Sequence, residues 1–274
     1  MTDVDKKLGH SRQTRMSGEK SPAERYAAAK MRHAESKSVL AAFRRSKDFE
    51  LDDFQLDACR ALESGRGVLV AAPTGAGKTV VGEFAVHLAL HLQGKAFYTT
   101  PIKALSNQKF NEFVAMYGAD KVGLLTGDVS INSEANVIVM TTEVLRNMLY
   151  VGSQTLHGLL HVVMDEVHYL ADRNRGAVWE EVILHLPESV SVTALSATVS
   201  NAEEFGEWLT EVRGDTAVIV EEHRPVPLWQ LVAADRKLHD LFVDEEQRRI
   251  NPELLRLQRT AQSQAKAHRG RGNR

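Results

Sequence analysis

Two adjacent carboxylates, Asp165 and Glu166, close an apolar run, Val162-Val163-Met164. Charge at the tip of a buried strand is costly unless a cation or hydrogen-bond donors meet it. The pair therefore asks for a metal ion or a lysine from elsewhere in the chain. A second carboxylate beside one that holds a metal is also placed to orient or deprotonate a water molecule.

The stretch "AAPTGAGKT" at 71–79 supplies such a cation. Gly75, Gly77, Lys78 and Thr79 match the end of a Walker A loop, with Ala72 where the pattern has its first glycine. Over Thr74, Gly75, Ala76 and Gly77 the backbone N–H groups can turn inward around phosphate oxygens. The following helix N-terminus adds positive potential. Lys78 then reaches the β- and γ-phosphates of a nucleotide such as ATP, and the Thr79 hydroxyl ligates Mg²⁺. A glycine-rich turn with a solvated lysine is the bland alternative, and a strand before with a helix after speaks against it. Ligands of a parallel sheet lie beyond the carboxyl ends of its strands. Asp165 is therefore expected to share the Mg²⁺ with Thr79, and Glu166 to act on the attacking water.

The elements that must position these groups alternate along the chain. Short apolar strands are expected at "GVLVAA", "KAFYTT", "KVGLLTG", "NVIVMTT", "HVVMDEV", "SVTALSAT" and "TAVIVEE", with amphipathic or apolar helices between them. Continuous apolar strands alternating with helices indicate an α/β fold, a parallel sheet covered on both faces. Residues 1–20 are polar and expected to be disordered. Residues 21–47 are expected to form a basic helix, with Ser21 as cap, Pro22 in the first turn and Glu24 completing the capping pattern. Residues 48–222 hold the alternating pattern, 223–247 a connecting segment, and 248–274 a basic disordered tail. Trp179 and Trp208, at helical spacing, are expected in the core, as is Cys59.

The charge is uneven. Residues 1–47 carry 12 Lys/Arg against 5 Asp/Glu and residues 248–274 carry 8 against 1, leaving 14 against 30 between them. Basic ends on an acidic body point to an anionic partner or to solvated tails. A single cysteine excludes an intrachain disulfide framework and a cysteine-based zinc site. No apolar run reaches the roughly 18 residues of a membrane span, and the first residues lack the apolar stretch of a signal peptide. A cytoplasmic protein is the expectation.

The motifs "APTGAGKT", "TTPIKALSNQK", "LLTGD", "MTTEVLRNML", "DEVH" and "SAT" stand in the order seen in superfamily II helicases. With "MDEVHYLADRNRGAVWEE", "LSATVSNAEEFGEWL" and "EEHRPVPL" the chain resembles superkiller-type DEVH-box RNA helicases, over about residues 21–245. The resemblance implies a RecA-like P-loop NTPase domain, the ATP- and Mg²⁺-binding lobe of a motor acting on single-stranded nucleic acid, RNA rather than DNA, beside RNA-decay machinery. It matches Phe49 and Gln55 to an adenine-reading element, and Lys78, Asp165, Glu166 and His168 to the catalytic set. Pro101, Lys103, Thr126, Gly127, Thr142, Glu143 and Arg146 match positions that hold the nucleic-acid backbone without reading sequence. Ser196 and Thr198 match the element that couples hydrolysis to strand separation. Taken singly, Ser196 and Thr198 could instead cap the helix near Asn201, and Arg146 could lie on a solvated face.

The family's second RecA-like lobe is expected after "HRPVPL", and its motifs, including the helix that would carry arginine fingers, are not found there. Such a finger is worth about 10³–10⁵ in turnover. The expectation is an ATP-binding lobe truncated before the second. An alternative is a non-catalytic, ATP-dependent RNA-binding module that hydrolyses almost nothing by itself.

Overall fold

The computed structural model describes residues 38–171, 176–198, 200–225, 228–244 and 248–260. The chain divides into two units, up to His223 and from Arg224 onward. The expected leader 1–20 and the expected helix start at Ser21, Pro22 and Glu24 lie outside the described residues.

The first unit opens with α1 (Val39–Arg45) and α2 (Asp53–Glu63). Then β1 (Gly67–Ala71), α3 (Thr79–His91), β2 (Lys95–Thr100), α4 (Lys103–Tyr117), β3 (Val122–Leu125) and β4 (Ser130–Ile131) follow. The unit continues with β5 (Val137–Thr141), α5 (Thr142–Tyr150), β6 (Leu159–Met164), α6 (Gly176–His185), β7 (Ser191–Ser196), α7 (Ala202–Arg213) and β8 (Thr216–Val220). One eight-stranded sheet runs β4-β3-β5-β2-β6-β7-β1-β8. Every pairing in it is parallel except the short β3–β4 pair.

Successive strand residues point to opposite faces, and the two cores follow that period. Val68, Val70, Ala96, Tyr98 and Val163 pack with α1, α2, α3 and Phe113 of α4. Leu69, Phe97, Val162 and Met164 pack with Leu145 of α5, Trp179 and Val182 of α6, and Leu209 of α7. Cys59 and Trp179 are fully buried, whereas Trp208 is only partly buried against the second core.

Three expectations need correction. The helix expected over 21–47 covers only Val39–Arg45 of its described part, because Ser38 has an extended backbone and its side chain accepts the Ala41 N–H, which caps α1 there; residues 21–37 lie outside the described residues. The last strand is not β8. In the second unit β9 (Leu231–Ala234) and β10 (Lys237–Asp240) form an antiparallel hairpin. Its turn uses Asp235 and Arg236 with φ 47° and 61°, the backbone of a type I′ turn without the usual Asn-Gly or Asp-Gly signal. The tail is not wholly irregular: residues 252–260 are helical, begun where the Asn251 side chain accepts the Glu253 N–H at 3.0 Å.

Candidate active site

The phosphate loop joins β1 to α3. Gly75 and Gly77 have φ of 89° and 84°, a region that side chains with a Cβ rarely enter. The Ala72 N–H donates to the Ser196 carbonyl at 3.0 Å and the Ala76 N–H to Pro73 at 3.1 Å. None of the loop's backbone hydrogen bonds uses the N–H of Gly75 or Gly77. Lys78 is 8% exposed, and its Nζ donates to the Pro73 carbonyl at 3.2 Å. Thr79 is the first residue of α3.

Gln55 is buried against this loop. Its Nε2 donates to the Gly77 carbonyl at 3.1 Å, and its Oε1 accepts the Asp52 N–H at 3.0 Å. Both ends of the amide expected to read adenine are thus engaged by the protein. Phe49 is 53% exposed and lines an open cavity with Ala41, Arg44 and Lys47.

Asp165 and Glu166 follow β6. The Asp165 N–H donates to the Thr99 carbonyl at 2.9 Å. Its carboxylate is held from two sides: Tyr98 Oη donates to Oδ2 at 2.7 Å, and the Glu166 N–H donates to Oδ1 at 2.9 Å. The Asp165 carboxylate also joins burial in keeping the Tyr98 phenol well above its ordinary pKa, so it remains a donor. Glu166 has φ of 54°, a left-handed conformation that costs a non-glycine residue free energy and clusters at functional sites. Burial, then the Asp165 charge, raises the Glu166 pKa, against a downward pull from His168 and Lys78. Lys78 therefore acts on the Glu166 carboxyl, although it stands two strands away in the sheet.

His168 Nδ1 lies 3.3 Å from Glu166 Oε2 and 3.5 Å from the Ala197 nitrogen. It can donate to the carboxylate or accept from the amide, but not both, and so bridges the "DEVH" turn to the "SAT" segment. The Thr198 N–H donates to Ser196 Oγ at 3.2 Å, and Ser196 Oγ lies 3.3 Å from Thr198 Oγ1. These two residues make a local turn. They do not cap α7, whose N-cap is Asn201.

The residues matched to nucleic acid gather on the other half of the same sheet edge. Pro101 and Lys103 follow β2, Thr126 and Gly127 follow β3, and Thr142, Glu143 and Arg146 begin α5 after β5. Lys103 is exposed and paired with Asp128 at 2.7 Å, whose carboxylate also accepts from Thr126 Oγ1. Arg146 lies 3.7 Å from Glu181. Pro101 and Thr142 are buried, and the Thr142 hydroxyl donates inward to the Thr100 carbonyl at 3.4 Å. As the fold stands, the side chains of these two do not offer a surface to a strand.

Sequence reasoning missed Tyr98, which reads as one more apolar strand residue in "KAFYTT". It also missed the carboxylates Asp128 and Glu181, because pairing across elements leaves no local signal.

The donor set suits ATP with Mg²⁺. Gly75 leaves open space where a Cβ would sit, whereas Gln55 Nε2 fills that space at Gly77; the N–H groups of both are outside the loop's backbone hydrogen bonds, and Lys78 can exchange a loop carbonyl for phosphate oxygens. Among the described residues no cluster of three or more His, Cys, Asp or Glu could hold a metal alone. Mg²⁺ is commonly bound by one or two protein oxygens plus phosphates and water, and Thr79 and Asp165 are the oxygen donors that the loop and β6 would offer it.

A family model described as DEAD/DEAH box helicase matches residues 52–205. The "Probable helicase HelY" of Mycobacterium leprae is 66% identical over 220 residues, covering 79% of this chain and 24% of that relative. The "ATP-dependent RNA helicase mtr4" of Schizosaccharomyces pombe is 48% identical over 205 residues, covering 74% of this chain and 18% of that relative. Among solved structures, the Mycobacterium smegmatis helicase Lhr bound to single-stranded DNA and AMP-PNP matches with a TM-score of 0.52. It is 28% identical, and the match covers 62% of this chain and 26% of that one. The chain thus spans about a quarter or less of the length of these proteins.

Proposed function

The chain belongs to the DEAD/DEAH box helicase family, and from that premise we infer that it is the ATP-hydrolysing motor lobe of an RNA helicase. The observation that carries the reading is the shared sheet edge. The phosphate loop, Asp165-Glu166 and "SAT" follow β1, β6 and β7, while Lys103, Thr126 and Arg146 follow or flank β2, β3 and β5.

In this reading the N–H groups of Gly75 and Gly77 receive phosphate oxygens, and Lys78 Nζ leaves the Pro73 carbonyl for them. Thr79 and Asp165 hold Mg²⁺. The bound ion supplies positive charge to the phosphates as the terminal bond breaks. Glu166, kept above its ordinary pKa, orients the attacking water and takes its proton. His168 passes the state of Glu166 to Ala197 and the "SAT" turn. Lys103 and Arg146 hold the phosphates of a single strand. The name of the mtr4 relative, an ATP-dependent RNA helicase, favours RNA, and a second RecA-like lobe is the expected source of arginine fingers and the closed state. Work beside RNA-decay machinery in the cytoplasm belongs to the same proposal, on the resemblance of the motifs to superkiller-type helicases.

Mg²⁺-dependent ATP hydrolysis by the 274-residue chain, with and without single-stranded RNA, tests the reading beside Glu166→Gln. RNA-stimulated turnover lost in the variant is the expected result. Nucleotide binding without turnover above the variant would favour the non-catalytic, ATP-dependent RNA-binding module.

A further inference from the structure

Tyr98 stands where the two halves of the sheet edge meet. Its strand, β2, pairs with β5 on one side and β6 on the other. The candidate strand-binding residues follow β3, β5 and β2, and the candidate nucleotide residues follow β6, β7 and β1. Across that seam the Tyr98 hydroxyl donates to Asp165 Oδ2 at 2.7 Å.

The ring is fully buried and clamped by two helices. A Cβ built on Gly82 of α3 would come within 3.0 Å of its Cε2. From α4, Phe113 meets it edge-on with ring centroids 5.3 Å apart, and Lys109 Nζ lies 5.6 Å from its centroid. The helix α3 starts at Thr79 of the phosphate loop, and α4 starts at Lys103.

Lys109 is held in turn by an ion cluster. It pairs with Glu112 and lies 3.9 Å from Glu83 on α3, and Glu83 is bonded to Lys47 at 2.6 Å. The side chains of Lys47, Glu83 and Lys109 are 13%, 10% and 9% exposed. Buried ion pairs are often replaceable by apolar groups without loss of stability, so stability alone does not account for a cation against this ring.

We propose that Tyr98 is a positioning residue for Asp165, and that the Lys109–Glu83 pair seated beside its ring carries movement of α4, on binding a single strand, to that carboxylate. The inference rests on the functional reading above. It makes Tyr98 the joint between the two ligand surfaces: strand binding shifts α4, Lys109 shifts the ring, and the hydroxyl reorients the Asp165 carboxylate that would hold Mg²⁺.

The test is a Mg²⁺ titration of the 274-residue chain with a fluorescent, non-hydrolysable ATP analogue, with and without a single-stranded RNA oligomer. Removing a group that orients a metal ligand typically weakens metal binding 10- to 100-fold. Tyr98→Phe should raise the Mg²⁺ half-saturation about tenfold, with analogue affinity in EDTA unchanged and the chain still folded at the assay temperature despite a lower unfolding midpoint. RNA should tighten Mg²⁺-dependent binding in the parent chain and not in Tyr98→Phe. Lys109→Met should keep the titration seen without RNA yet lose the response to RNA, a split that mere loss of stability does not produce. A Tyr98→Phe chain with the parental half-saturation and RNA response overturns the proposal and leaves the functional reading standing. A parent that binds the Mg²⁺-nucleotide but does not respond to RNA overturns the coupling. A parent without Mg²⁺-dependent binding removes the functional reading and the proposal together.

Discussion

Gln55 donates from Nε2 to the Gly77 carbonyl at 3.1 Å, which bolts the start of α2 to the phosphate loop. Its other end caps α2 through the Asp52 N–H. Each end keeps one further hydrogen-bonding position, but the bonds made here tie α2 to the phosphate loop whatever the base. Gln55→Ala is therefore expected to weaken ATP and GTP analogues alike, by several-fold, and to cost about 1 kcal/mol of stability through the lost cap and loop bond. Parallel titrations with the two analogues check this, and a loss confined to ATP would restore an adenine-reading role.

The cations assigned to the strand are already paired. Lys103 meets Asp128, and Arg146 faces Glu181. Each carboxylate competes with a phosphate for its partner. Asp128→Asn and Glu181→Gln should each tighten single-stranded RNA binding, by about two- to fivefold at low salt, since exposed pairs are weak. Lys103→Ala and Arg146→Ala should weaken binding, and each should make its salt dependence shallower by about one unit of log–log slope, the share of one neutralised phosphate. Affinity measured over a salt series reads both effects, and equal slopes in parent and Lys103→Ala would remove Lys103 from the interface.

His161 gives the fold a sensitivity to acid. It lies on β6 in register with Ala96 and Ser191, is 5% exposed, and its Nδ1 has no hydrogen-bond partner among the described residues. Burial alone lowers its pKa to about 4. Above about pH 6.5 neither the folded nor the unfolded chain protonates it, so it exacts no penalty there. Below that value the unfolded chain takes a proton that the folded chain refuses, so stability falls with pH until about pH 4. The loss between pH 7 and pH 5 is about 2 kcal/mol. Urea unfolding at the two pH values should show it, and His161→Leu should flatten the difference. An equal drop in the variant would assign the acid sensitivity to other groups.

The parallel sheet was legible because its strands are buried on both faces, so "VLVAA", "VIVMT" and "HVVM" read as continuous apolar runs. The phosphate loop and Asp165-Glu166 were legible because their chemistry is local, with residue types and spacing inside one turn. Tyr98 was not, since a buried hydroxyl in an apolar strand declares itself only when β2 and β6 pair and bring Asp165 to it. The same holds for Glu83 and Lys109, 26 residues apart on separate helices, which look like ordinary helical charges in the sequence. The β9–β10 hairpin escaped because an Asp-Arg pair takes the left-handed turn that glycine normally marks. The start of α1 at Ser38 escaped because a cap at Ser21 with Pro22 and Glu24 is the stronger local signal.

The central claim is that Lys78 and Asp165 hold one Mg²⁺-nucleotide at the carboxyl end of the sheet. Equilibrium titration of the 274-residue chain with a non-hydrolysable ATP analogue and Mg²⁺, beside Lys78→Ala and Asp165→Asn, tests it most directly. Lys78→Ala should lose at least about tenfold in affinity, as removal of a charged hydrogen-bond donor does, and Asp165→Asn should lose the Mg²⁺ dependence. Parental affinity and Mg²⁺ dependence in both variants would contradict it.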